Sequence, residues 1–163
     1  MATVKFLYWA ICLIAFSWGS LPGSNLLSIA RAEIGVREAT NRNDGARVEE
    51  YLAAVGLKKG DKYCAAYVSW CFKKAGYLAP RTGWSPALFP KDRLVKEPFP
   101  GCVFGLYFPS LKRIAHVGFV ERIRGKYCVT IEGNTNPEGS REGGGVFRRM
   151  RYRKTISKYA NWL

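Results

Sequence analysis

Residues 62–72 read KYCAAYVSWCF, and a cysteine, Cys64, stands where this stretch is predicted to begin a helix. Apolar side chains recur with the i, i+3, i+4, i+7 spacing of a helix that buries one face, at Cys64, Tyr67, Val68, Cys71, Phe72 and Ala75. Gly60 and Asp61 predict a turn before the helix, and Gly76 predicts its end. The sequence therefore predicts a helix with Cys64 in its first turn.

The position of Cys64 bears on the chemistry of its thiol. In the first turn of a helix, unpartnered backbone N–H groups and the helix dipole favour an anion, so a thiol there ionises more readily. An unperturbed cysteine, with a pKa of about 8.5, is mostly protonated at neutral pH. A cysteine on an apolar helical face is more often a small buried hydrophobic residue than a nucleophile, so Cys64 alone does not indicate an enzyme.

Size and charge limit the class of protein. The chain has 163 residues, of which 48% are hydrophobic and 14% aromatic, and this composition predicts one packed domain and argues against disorder. A formal charge of +14, from 26 Lys and Arg against 12 Asp and Glu, predicts a polyanionic neighbour. Nucleic acid, an anionic membrane and an anionic cell wall all fit that charge.

The N-terminal segment favours an envelope partner. Lys5 is the only charged residue before Arg31, and residues 6–16 form an uninterrupted apolar run, shorter than the roughly 20 residues of a spanning helix. We therefore predict that residues 1–22 are a signal peptide or a membrane anchor and that residues 23–163 are the folded domain. The protein is predicted to be exported to the periplasm, the cell envelope or the exterior. Retention at the membrane by an uncleaved N-terminal segment stays open. No nucleic-acid partner is expected, because no recognition motif is evident.

The cysteines beyond residue 22 are predicted to include unpaired thiols. Cys64 and Cys71 lie seven residues apart on one helix, a rise of about 10 Å, which is too far for a disulfide. Cys102 and Cys128 lie in two strand-like runs, and both a disulfide and two free thiols remain open for them. Because the chain lacks a C-x-x-C pair and has one histidine, no zinc site is predicted, and no other metal or cofactor is called for.

The rest of the chain divides into helices followed by strands. Two short helices are predicted before the Cys64 helix, from Ser24 to about Ile34 and over residues 46–55. Prolines punctuate residues 80–100, an irregular stretch whose aromatic contacts would be Trp84 and Phe89.

Beyond Gly101, four β-rich runs are predicted, at residues 102–108, 116–123, 127–132 and 146–152. Helices first and an antiparallel sheet after them predict an α+β fold with the sheet packed on the Cys64 helix.

His116 is the only histidine in the chain, so a cysteine–histidine mechanism must use it. Strand alternation predicts that His116 and Val120 share one face, with Val117 and Phe119 on the other. Gly118 leaves room for a neighbouring backbone. By itself, His116 is also compatible with a half-buried histidine that hydrogen-bonds to a sheet neighbour.

The third candidate lies at the end of a strand, in the run IEGNTN at residues 131–136. Glu132 and Asn134 are two residues apart, so while the strand persists they face the same side and either can accept the imidazole N–H. Such an acceptor fixes the tautomer and orientation of a catalytic histidine. Asn134 also fits a simple turn-forming role.

Together these segments give a family resemblance over residues 29–152. The chain resembles the CHAP family, the cysteine, histidine-dependent amidohydrolases and peptidases, which are related to NlpC-type cell-wall peptidases on a papain-like core. The motifs are AEIGVRE at residues 32–38, YCAAYVSWC at 63–71, HVG at 116–118 and EGNT at 132–135. One departure is Tyr63, which stands where many similar members have tryptophan.

The resemblance implies a site and a reaction. Cys64 would be the nucleophile, His116 the general base and then acid, Glu132 the orienting acid and Asn134 a polar helper. Tyr63 and Trp84 are assigned to substrate binding. The implied reaction is acyl transfer through a thioester acyl-enzyme, without a metal or organic cofactor.

The family's usual substrate implies a peptidoglycan hydrolase, either an N-acetylmuramoyl-L-alanine amidase or a peptidoglycan endopeptidase. Peptidoglycan is then the expected partner, with an anionic envelope surface as a second one. The bond that is cleaved and the oligomeric state stay open. A rival from another class is a non-enzymatic, basic envelope-binding module on a CHAP-like fold.

The basic C-terminal run is interpreted separately. It comprises Arg148, Arg149, Arg151, Arg153, Lys154 and Lys158. Alternation over residues 146–152 predicts mainly a solvated strand face, which is favoured over the alternative, a binding site that holds the protein on wall or lipid phosphates.

Overall fold

The structure is a computed structural model that describes residues 24–163. The predicted signal peptide or anchor, residues 1–22, lies outside the described residues. Three helices come first in the chain: α1 (Ser24–Ala32), α2 (Ala46–Ala53) and α3 (Cys64–Lys74). Among the described residues, no helix combines the length and the apolar character that crossing a membrane requires.

A six-stranded antiparallel sheet follows the helices. Its strands are β1 (Leu94–Val95), β2 (Val103–Phe108), β3 (Arg113–Arg124), β4 (Tyr127–Thr135), β5 (Gly145–Tyr152) and β6 (Lys158–Ala160). The spatial order is β1-β6-β2-β3-β4-β5, so β2 to β5 form a meander and β6 returns to pair with β1 and β2. This arrangement confirms the predicted α+β class with N-terminal helices and an antiparallel sheet.

Helix α3 occupies the centre of the molecule. Its first nine residues are all buried, whereas the sequence predicted one buried face. The reason is that α1 and α2 cover the side that faces away from the sheet. Tyr67 shows this packing: its ring meets Tyr51 of α2 edge-on at 5.4 Å, and its hydroxyl donates to the carbonyl of Ala30 in α1 at 3.0 Å.

The sheet has a core on each of its two faces. Val117, Phe119 and Ile131 pack with α3 in the larger core. Phe104 and Val120 belong to a second cluster on the other face. Each follows a residue of the larger core in the sequence, and successive strand residues face opposite sides of the sheet. Burying each large apolar side chain contributes about 1.5–3 kcal/mol.

The second core resolves the alternatives left for Cys102 and Cys128. Both side chains are fully buried in it, and both are free thiols. Cys64 and Cys71 are also free, as predicted from their spacing on one helix.

Candidate active site

Cys64 is the first residue of α3. The residue before it, Tyr63, makes no side-chain capping hydrogen bond, so the N–H groups of the first turn are not satisfied by a cap. Cys64 is 4% exposed and borders a cleft of about 200 Å³, called here the Cys64 cleft. The lining of this cleft includes Cys64, Trp84, Ser85, Arg113, Ala115 and Arg141. A nucleophile here is sheltered from solvent but open to a ligand.

His116 lies on β3 beside an irregularity in the sheet. Leu106 of β2 pairs with His116, whereas the next residue, Tyr107, pairs with Ile114, so Ala115 is an extra residue on β3. A bulge of this kind bends the strand and redirects neighbouring side chains. Ala115 borders the Cys64 cleft, and His116 is fully buried behind it.

Glu132 of β4 orients the ring of His116. Its Oε2 lies 2.8 Å from His116 Nε2, and both side chains are fully buried. Gly118 permits this approach, because a Cβ at that position would lie 2.6 Å from the carbonyl oxygen of Ile131 and 3.0 Å from Glu132 Cγ. The predicted room beside the histidine is therefore used to bring the carboxylate close.

Two further side chains hold the Glu132 carboxylate. Arg151 of β5 donates from Nε to Oε1 at 2.9 Å and from its terminal nitrogen to Oε2 at 2.6 Å. Thr130 donates its hydroxyl to Oε1 at 2.5 Å. Burial raises the pKa of Glu132, but the bonds from Arg151 and His116 outweigh burial and lower that pKa to about 2. Glu132 is therefore an anion at every physiological pH.

The thiol of Cys64 and the imidazole of His116 stabilise each other's charged forms. Burial raises the pKa of Cys64, but His116, the Ser85 hydroxyl and the N–H of Ala65 together lower it below its usual range. Burial lowers the pKa of His116, yet Cys64 and Glu132 raise it to about 9. Nδ1 of His116 has no hydrogen-bond partner in the described chain, so this nitrogen remains available for proton transfer. The arrangement favours a thiolate–imidazolium pair.

Ser85 is a neighbour of the nucleophile that the sequence analysis did not identify. Its hydroxyl oxygen lies 3.5 Å from Cys64 Sγ, and the residue is buried. The loop that carries it is attached to α3, because Ser69 Oγ donates to the carbonyl of Thr82 at 2.8 Å and accepts from the Thr82 N–H at 3.0 Å. A serine in a proline-rich loop carries no sequence signal for such a position.

The walls of the Cys64 cleft carry the ring of Trp84, the cations Lys62, Arg113 and Arg141, and one carboxylate, Asp61. Trp84 is 53% exposed, and the guanidinium of Arg113 lies 4.2 Å from the centre of its ring. Arg141 is paired with Glu142 at 2.7 Å. Arg113 forms no ion pair within residues 24–163, and its recorded hydrogen bond is to the carbonyl of Ile114 at 3.1 Å. The cleft thus presents an uncompensated cation near the thiol.

The remaining predicted residues lie around this group. Asn134 is buried with a left-handed backbone (φ 56°), and its Oδ1 accepts from the N–H of Gly143 at 3.4 Å. Of the two candidates for the imidazole N–H, Glu132 is the one in contact, and the helper role of Asn134 stays a prediction. Tyr63 is fully buried with its ring 6.1 Å from that of Tyr51, and its role in substrate binding also stays a prediction.

The interpretation of residues 146–152 as a mainly solvated face holds for Arg148, whose side chain is 45% exposed, and is wrong for Arg151. The side chain of Arg151 is only 15% exposed because it pairs with buried Glu132. Arg148 pairs with buried Glu121 at 2.7 Å and 2.9 Å. Sequence alternation cannot reveal such pairing, since the acidic partners are on other strands. Within the described residues, no group of His, Cys, Asp and Glu has the arrangement to hold a metal.

Comparisons with known proteins find only distant similarity. No protein-family model matches the chain. No curated protein matches it either. Among solved structures, the chain is similar to the crystal structure of Ly7917 (18% identity, TM-score 0.49) and to that of Ly7917 with the hydrolyzing product of MDP (19%, TM-score 0.47). Each match covers 83% of this chain, which spans 59% and 60% of the two Ly7917 chains.

Proposed function

We propose that this protein is a cysteine-dependent hydrolase of peptide-type amide bonds, of the CHAP family, that acts on peptidoglycan as an amidase or endopeptidase. The observation that carries the proposal is the buried series Cys64, His116 and Glu132: burial alone disfavours the thiolate, but His116 outweighs it and lowers the pKa of Cys64, and Glu132 Oε2 lies 2.8 Å from His116 Nε2. A nucleophile, a base within reach and a group that orients the base are the parts that acyl transfer requires.

The reaction begins with attack of the Cys64 thiolate on the carbonyl carbon. The oxyanion that forms is stabilised by N–H groups of the first turn of α3, that of Cys64 among them. The His116 imidazolium then donates its proton to the leaving amine as the C–N bond breaks, leaving a thioester. Water, deprotonated by neutral His116, attacks the thioester, and the acid product leaves with Cys64 restored. Glu132, held by Arg151 and Thr130, keeps the ring in position throughout.

The cleft supports a substrate with carboxylates. Arg113, stacked on Trp84, provides a cation without an acidic partner in the described chain next to the nucleophile. The stem peptide of peptidoglycan carries carboxylates, and its envelope is anionic. The formal charge of +14 and the apolar run at residues 6–16 favour the same setting.

Digestion of purified sacculi tests the proposal. Cys64→Ala and His116→Ala are expected to lower fragment release by about a thousandfold or more, because each removes a group that acts in bond cleavage. Cys128→Ala is the matched control and is expected to retain activity, since its thiol lies in the second core. Turbidity gives the rate, and mass spectrometry of the released fragments identifies the bond.

Two results would contradict the proposal. Near wild-type activity in purified Cys64→Ala would reject the site. Wild-type protein that binds sacculi firmly but releases nothing would instead support the non-enzymatic envelope-binding module, for which the net positive charge is the favouring observation.

A further inference from the structure

A second concave site lies away from the Cys64 cleft and shares no lining residue with it. It is a cavity of about 500 Å³ between the β3–β4 turn, the end of β5 and the chain around β6. We call it the basic cavity, and its walls include Lys96, Lys126, Tyr152, Arg153, Lys154 and Tyr159. This site is independent of the proposed reaction.

The walls of the basic cavity have one sign of charge. Four of its residues are cationic and none is acidic. Arg153 pairs with Glu97, which is outside the lining, whereas the three lysines have no ion-pair partner within residues 24–163. Like charges gathered in a concave site focus a positive potential and repel each other, so an anion that enters relieves that repulsion.

The cavity also has a fixed frame and neutral donors. The N–H of Arg153 donates to the carbonyl of Lys126 at 2.9 Å, which joins the end of β5 to the β3–β4 turn. Thr155 donates its hydroxyl to the carbonyl of Tyr152 at 2.7 Å. Gly125, Ile156 and Ser157 are the other lining residues, so the lining includes a polar residue and an apolar residue besides the cations.

We propose that the basic cavity binds a terminal phosphate group. A carboxylate carries one negative charge and would leave two of the three unpaired lysines uncompensated. A terminal phosphate carries about −1.5 to −2 at neutral pH and has three strong acceptor oxygens. Lysine ammonium groups and an arginine fork suit such an anion. The terminal phosphate of a lipid such as phosphatidic acid and a phosphate monoester in solution share this chemistry.

To test this, the full chain is titrated with inorganic pyrophosphate at low ionic strength, and calorimetry measures the binding. A parallel arm measures sedimentation with vesicles of phosphatidic acid and phosphatidylcholine. The test variant is Lys126→Gln/Lys154→Gln. The matched control is Lys73→Gln/Lys91→Gln, which removes the same charge from two exposed lysines outside the cavity.

The test variant is expected to weaken pyrophosphate binding by about tenfold or more, because each lysine near a phosphate contributes on the order of fivefold. The control is expected to bind as the wild type does. If the vesicle arm weakens in parallel, the site takes the terminal phosphate of a lipid; if vesicle binding is unaffected, it takes a soluble phosphate monoester. Equal weakening in both variants, or no pyrophosphate binding by the wild type, would overturn the proposal.

Discussion

Glu132 is a buried carboxylate that contacts a histidine, an arginine and a threonine. Its negative charge raises the pKa of His116, while Arg151 keeps that charge in place by lowering the pKa of Glu132. The reactive state of Cys64 therefore depends on a residue two contacts away. Removing Arg151 would leave the buried carboxylate of Glu132 without its arginine partner, and breaking a buried ion pair in this way costs about 3–5 kcal/mol in proteins.

The pH dependence of the reaction follows from the Cys64–His116 pair. The attacking form needs a thiolate and an imidazolium, so kcat/KM is expected to fall as the pH drops through the lowered pKa of Cys64. It is also expected to fall as the pH rises through about 9, where His116 loses its proton. Glu132→Gln removes the anion that raises the His116 pKa, so the alkaline limb should move to lower pH. A pH profile of both proteins checks this, and an alkaline limb that does not move would contradict it.

Arg151 is expected to act as a positioning residue through Glu132. Arg151→Met should lower kcat by about tenfold to a hundredfold with little change in KM, since the ring of His116 is misplaced while the cleft is intact. Arg151→Lys should restore part of the activity because it keeps the charge but not the two-pronged contact. Steady-state kinetics separates the two parameters, and equal losses in both variants would point to a purely structural role.

At the residue scale, the sequence predicts the groups with a distinctive type or place. Cys64 opens a helix and His116 is the only histidine, so both can be chosen in advance, and they come together with Glu132 in the structure. Their catalytic roles stay predictions. Arg151 and Ser85 cannot be chosen in this way, because their positions depend on strand register and on the path of a loop.

The bulge on β3 and the close approach of β4 position the site at the scale of elements. Ala115 is the extra residue next to His116. Because Gly118 has no side chain, β4 lies closer to β3 at this point than a Cβ atom would allow. The histidine and its carboxylate partner thus both lie on paired strands of the sheet rather than on loops, which keeps the contact between them rigid.

Gly118→Ala tests this positioning. The added methyl would meet the carbonyl oxygen of Ile131 and Glu132 Cγ, so β4 must shift. The expected loss in the free energy of unfolding is about 1–3 kcal/mol, and activity per folded molecule should fall as well. Urea unfolding and kinetics on the folded fraction measure the two effects.

Gly76→Ala is the control for Gly118→Ala. It has open space around its Cβ position but a left-handed backbone (φ 84°), so it should lose stability without losing activity per folded molecule. Unchanged activity in folded Gly118→Ala would mean that the close approach of β4 does not position Glu132.

The elements that periodicity predicts are those that are long enough to show a period. Helix α3 and strands β2 to β5 lie close to their predicted ranges, although β3 begins at Arg113 rather than at His116. Strands β1 and β6 have two and three residues, too few for an alternating pattern, and they form only through pairing with distant strands. The burial of α3 on all sides also depends on packing that no local pattern specifies.

At the scale of the whole molecule, some basic residues pair with buried carboxylates and others remain without an acidic partner in the described chain. Arg31 of α1 and Arg148 of β5 both pair with buried Glu121, so part of the charge joins a helix to the sheet. The lysines of the basic cavity remain without acidic partners in the described chain. The composition predicts the net charge but not this division.

The pKa values of the four described cysteines can be compared within the one molecule. Burial raises the pKa of Cys71 well above its usual range and that of Cys102 to about 12, and it also raises the pKa of Cys128. Cys64 is the only one of these four described cysteines with a lowered pKa, and it lines the Cys64 cleft.

The rate of alkylation at each of these thiols, followed in the intact protein by peptide mass spectrometry near neutral pH, is the most direct test of the thiolate at the start of α3. We expect iodoacetamide to modify Cys64 at least about a hundredfold faster than Cys71 or Cys102, and His116→Ala to remove most of that advantage. A Cys64 that reacts no faster than the other two, or whose rate is unchanged in His116→Ala, would contradict the account.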